Sequence, residues 1–179
     1  MLEKDVTRWL REGEQSKATH RIKKIVSQFK GNEFEKFFQI LSWIDNNLHT
    51  EKSRKKVLAI FASRTADEVI QQKNDTGCHD SALLVATFLR AVGIPARYVI
   101  GIDKPSLGKG GHVVVEAYVI GRWILIDPSY FRVDLLPERS SFYAQNYLFK
   151  KGLDSWDCGI RTVDDWDNAS RALIARLQK

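Results

Sequence analysis

Between Cys78 and Pro128 the chain passes from a helical to a strand period, and this limits what it can fold into. Ala82, Val85 and Leu89, with Leu84 and Phe88, recur at helical spacing from a start near Cys78. Gly93 ends that helix, and Ile94-Pro95 blocks continuation because proline lacks an N–H and crowds the preceding turn. Arg97 to Ile102 reads as a strand, and His112 to Ile120 alternates with period two. Ile120-Gly121 is a tight turn from which Trp123 to Asp127 returns, until Pro128 stops the pairing. With Ile120 and Gly121 as loop residues, Val119 faces Arg122 and Val114 faces Asp127. His112 then shares a sheet face with Asp127, one diagonal step of about 7–8 Å away. Val113, Val115, Ala117, Ile124 and Ile126 take the other face, which reads as buried. A slip of one residue would put the histidine and the aspartate on opposite faces.

Upstream, the first 73 residues read mostly as helices. Ile22, Ile25, Val26 and Phe29 suit one, ended near Gly31, and Phe34, Phe37, Phe38, Leu41 and Ile44 suit a second, fading at Asp45-Asn46-Asn47. A third covers Val57 to Phe61, and Thr65 with Glu68 forms a capping box for a helix reaching Gln72. Asn74-Asp75-Thr76-Gly77 reads as a turn. Downstream, Phe142 to Phe149 reads as a strand, with Trp156, Trp166 and a final helix from Ala169 to Leu177 packed across the outside. The whole, residues 1–179, is expected to be one domain: a helical part (1–63), a core (64–130) and a completing strand and helix (131–179).

Composition narrows the class. The 44% apolar and 28% charged fractions are those of a soluble globular protein, and no apolar run of membrane-spanning length exists. The segment MLEKDVTRWLREGEQ has no signal-peptide core, and two cysteines make no disulfide framework, so a cytoplasmic location is expected. The net charge of +6 divides into +5 over residues 1–73 and +1 over residues 74–179. Arg21, Lys23, Lys24, Arg54, Lys55 and Lys56 invite a nucleic-acid reading, but acidic residues are interleaved and no stacking aromatics alternate with them. A solvated helix face is the better account, so neither nucleic acid nor membrane is expected as a partner.

The chemistry-bearing residues are Cys78, His112 and Asp127, on three different elements. A cysteine at a helix start meets exposed N–H groups and the helix dipole, which favour an anion. An ordinary thiol, at about 8.5, is only a few per cent thiolate at pH 7, so a neighbouring imidazole matters. His112 would take the thiol proton and return it to a leaving amine, with Asp127 holding its tautomer. Each residue also has a plain structural reading: a buried small cysteine, a hydrogen-bonded strand histidine, a strand-end cap before proline. His79 is excluded as the base, because adjacent helical residues point about 100° apart. A zinc site from Cys78, His79, His112 and Cys158 lacks any closely spaced ligand pair. Leu107-Gly108-Lys109-Gly110-Gly111 lacks the context of a phosphate loop and reads as a rim beside His112.

Together, Thr76-Gly77-Cys78-His79-Asp80-Ser81-Ala82, Leu89 through Val99, His112 through Tyr118 and Trp123 through Ser129 resemble the core of the transglutaminase-like superfamily over about residues 64 to 130. The resemblance implies a papain-like α+β fold, in which the cysteine-bearing helix packs on an antiparallel sheet carrying His and Asp. It implies Cys78 as nucleophile, His112 as base and Asp127 as its partner. Val114 departs from the aromatic often found two positions after the histidine. The flanking regions are not those of large animal transglutaminases, so protein cross-linking does not transfer. The Cys78 N–H is expected as one oxyanion donor, with Gln71 or Gln72 as the other and Gly77 on the substrate side. The expected activity is cofactor-independent acyl transfer from a peptide or protein amide through a Cys thioester, as cysteine protease, amidase or transglutaminase. The alternative is a catalytically silent fold serving as a peptide- or protein-binding module.

Overall fold

A computed structural model describes residues 6–106 and 110–178. Helix α1 (His20–Val26) starts at Thr19, whose hydroxyl accepts from the Ile22 N–H. Asn32 and Glu35 close a capping box on α2 (Glu33–Asn47), which buries Phe37, Ile40, Leu41 and Ile44. Strand β1 (His49–Thr50) and helix α3 (Arg54–Ile60) follow, then α4 (Ala66–Gln72), with the expected Thr65–Glu68 box present in both directions. Residues 74–77 are not simply a turn: Asn74 and Asp75 form β2 and pair in parallel with β1. Helix α5 (Cys78–Ala91) comes next and is buried from His79 to Arg90.

A five-stranded antiparallel sheet lies against α5. It is built from β3 (Ala96–Asp103), β4 (Gly111–Val119), β5 (Arg122–Asp127), β6 (Arg132–Asp134) and β7 (Asn146–Gly152), in the order β6-β5-β4-β3-β7. The β4–β5 hairpin has the register read from the sequence, with Val119 opposite Arg122 and Val115 opposite Ile126. Ile120 and Gly121 both take positive φ (47° and 74°), which matches the twist of a two-residue hairpin. Val113, Val115, Ala117, Ile124 and Ile126 join α1, α2 and α5 in the main core.

The opposite face is covered as well. Val99, Val114 and Leu125 pack under Phe142 of α6 (Ser141–Gln145). Residues 142–145 are therefore helical rather than the expected strand, because the Ser140 hydroxyl accepts from the Tyr143 N–H and starts a turn. The last helix, α7 (Val163–Leu177), begins six residues before Ala169, at a capping box of Thr162 and Asp165. Trp166 is half-buried against the core, its ring packed on Phe61 and His79. Buried Asp154 ties the two ends of the chain, accepting from the N–H groups of Gln15, Ser16 and Asp157 and from the Ser16 hydroxyl. Among the described residues no helix is long and apolar enough to cross a membrane.

Candidate active site

The turn before α5 is held from two sides. Gly77 takes φ +96° and donates its N–H to Asp75 at 2.8 Å. Asp80, one turn into the helix, reaches back to the Thr76 N–H and hydroxyl, both at 2.8 Å. Arg64 pairs with Asp80 in an interior where their side chains are 5% and 1% exposed. The same guanidinium donates to Gln72 Oε1 and Asn74 Oδ1. This cluster sets where α5 begins and leaves Cys78 half-buried at its first position, with a free thiol. Sequence reading missed Arg64 and Asp80; an aspartate four residues after Thr76 was the signal present.

His112 stands at the start of β4, opposite Gly101 of β3. Its Nε2 lies 2.7 Å from Asp127 Oδ2 at the end of β5. The other Asp127 oxygen accepts from the Ser129 N–H at 3.1 Å, so the residue orients the imidazole and also caps the turn after Pro128. Cys78 is the other group that acts on the ring, raising its affinity for a proton. Burial opposes a charge on His112. The hydrogen bond that the ring donates to Asp127, together with the neighbouring Cys78 and its charge, outweighs it, raising the imidazole to about 10. Tyr130 and Phe142 flank the ring at 5.7 and 6.3 Å between centroids.

His79 points away from this pair, into the core. Its Nδ1 meets the Tyr98 hydroxyl at 2.9 Å, and Phe61 packs edge-on at 4.2 Å. Burial, then the charge of His112, pushes it down to about 3, so the ring is neutral in the folded protein. The unfolded chain takes up a proton below about 6.5 that the folded chain refuses, so stability falls as the pH drops from 6.5 toward 3. Between pH 7 and pH 5 this costs about 2 kcal/mol. Urea unfolding at the two values is expected to show that part of the acid loss vanish in His79→Gln, which keeps a partner for Tyr98. An unchanged difference would assign the loss to other groups.

Gln71 and Gln72 do not join the site. Gln71 donates to Asp67 on the exposed side of α4, and the Gln72 carbonyl is held by Arg64, so the second oxyanion donor expected from them has no support here. Gly77 does line a cavity of about 230 Å³ beside the start of α5, with Asp75, Ser81, Pro128 and Ser129. A second cavity, about 590 Å³, opens on the far side of His112 and Asp127. Leu107, Gly108 and Lys109 of the expected rim lie outside the described residues. Cys158 is buried next to Gly152 at the end of β7, and burial pushes its thiol up to about 12. Among the described residues no three His, Cys, Asp or Glu side chains gather as metal ligands.

A buried helix headed by a cysteine, packed on an antiparallel sheet that carries a His–Asp pair, defines a papain-like α+β architecture. The model of the transglutaminase-like superfamily core matches residues 20–128, more than half of the chain, and the protein belongs to that superfamily. The match starts well before residue 64 and takes in α1 and α2. A candidate cysteine protease from Cytophaga hutchinsonii is 23% identical and superposes with a TM-score of 0.66, over 89% of this chain and 50% of its own. The periplasmic domain of TgpA from Pseudomonas aeruginosa is 18% identical, with a TM-score of 0.50 over 78% of this chain and 51% of its own. Both share the fold, and this chain spans about half the length of each. No curated protein sequence matches.

Proposed function

We propose that the protein is a thiol-dependent acyl-transfer enzyme that cleaves an amide, with water as the favoured acceptor. The observation that carries this reading is the His112 ring, bonded through Nε2 to Asp127 at 2.7 Å and raised in proton affinity by the neighbouring Cys78. In this scheme the Cys78 thiolate adds to the carbonyl carbon, and the Cys78 N–H steadies the resulting oxyanion. The tetrahedral species collapses as protonated His112 gives its proton to the departing nitrogen, leaving amine and a thioester. Water then attacks, His112 takes its proton, and the sulfur leaves with a carboxylic acid as product. A lysine or small amine in place of the water would make the same residues a transglutaminase. No cofactor enters either route.

The test separates an activated thiol from a merely structural one. Alkylation of Cys78 by iodoacetamide, followed by mass spectrometry from pH 5 to 9, is expected to be at least about tenfold slower at pH 6.5 in His112→Ala than in the parent protein. Equal rates in the two proteins would reject the dyad and leave a silent fold that binds peptide.

A further inference from the structure

The cavity on the far side of His112 carries a carboxylate with no counter-charge among the described residues. Of its charged groups, Asp127 is bonded to His112, and Arg132 is held by Asp134 and Ser141. Asp103 accepts the Ser106 N–H at 3.0 Å and forms no ion pair among the described residues. Its position relative to the base follows from the register. Gly101 pairs with His112, and Asp103 stands two residues further along β3 on the same face, a diagonal step of about 7–8 Å. Tyr130 and Phe142, the two rings beside His112, line the same cavity as apolar walls. Gln145 and Asn146 complete a polar far wall.

We propose that this cavity receives the residue on the amine side of the cleaved bond and selects lysine or arginine there. The inference rests on the acyl-transfer reading above, because a base that protonates the departing nitrogen must have the amine side next to it. The narrower cavity by Gly77 is left for the acyl side. A lysine or arginine stem lies along Tyr130 and Phe142 while its cationic head reaches Asp103. A glutamate in the same place meets the Asp103 carboxylate and is disfavoured.

Two measurements test the subsite apart from the chemistry. In internally quenched peptides that differ only in the departing residue, kcat/KM is expected to be roughly fivefold higher for lysine than for norleucine, the scale of a part-exposed ion pair. Asp103→Asn is expected to bring that ratio to about one. In the Cys78→Ala protein, an NMR titration with Nα-acetyl-lysine methylamide is expected to shift the backbone amides of Asp103, Gln145 and Asn146. The norleucine amide should not do so, and adding Asp103→Asn should remove the lysine effect. Turnover with no charge preference, and no lysine-specific shifts, overturns the subsite and leaves the Cys78 scheme standing. Lysine-specific shifts in a protein with no Cys78-dependent turnover keep the subsite and sink the acyl-transfer reading.

Discussion

Cys78→Ala is expected to lower amide turnover by at least roughly 10³-fold, the scale on which removal of a covalent nucleophile acts. The fold should survive, because Cys78 is half-buried at the first position of α5 and alanine is the best helix former. A shift in unfolding free energy within about 0.5 kcal/mol would match that position. His112→Ala should cost a similar factor, and the double variant should be no worse than either single one, since a sulfur without its base and a base without its sulfur are equally idle. Asp127→Asn is the subtler change. Its Oδ1 can still accept from Ser129, so the turn holds. An amide at the other position donates toward Nε2 instead of accepting from it, and turnover should fall by about 10²- to 10⁴-fold through the wrong tautomer. Parental turnover in Cys78→Ala would remove the covalent scheme altogether.

How much of this site could be read from the sequence depends on the range of the interaction involved. The His112–Asp127 contact was legible because the β4–β5 hairpin is local: a two-residue turn and a strict period of two fix the register of both strands. Gly93 and Pro95 marked the end of α5 for the same reason. Residues 142–145 misled, because Phe142 and Tyr143 favour strands in isolation and the Ser140 cap decides the matter by one hydrogen bond. The partners of α1 and α2 were not legible. An apolar stripe shows that a helix is covered but not by what, and here α5 covers both. Arg64 and Asp80 were missed for a related reason: sixteen residues separate them, and only the packing of α4 on α5 makes them neighbours.

That ion pair is where the largest loss of stability is expected. Asp80→Ala leaves the Arg64 guanidinium buried without its counter-charge, a change that costs about 3–5 kcal/mol. Gln72 and Asn74 offer it only neutral oxygens, and Arg64 Nε has no partner among the described residues, so little compensation is at hand. Urea unfolding should show the midpoint fall with an unchanged m-value. The local consequence is separable from the global one. Thr76 loses both of its bonds to Asp80, and the turn that sets the start of α5 keeps the Gly77–Asp75 bond and the pairing of Asn74 and Asp75 with β1. Removing both charges together, as Arg64→Met with Asp80→Leu, should recover much of the stability, because no unpaired charge remains in the interior. It should not recover turnover, because an aliphatic side chain in place of Asp80 cannot hold Thr76, and the head of the helix is free to shift against His112. A double variant that regains stability and turnover alike would show that the pair serves the core alone and has no part in placing the sulfur.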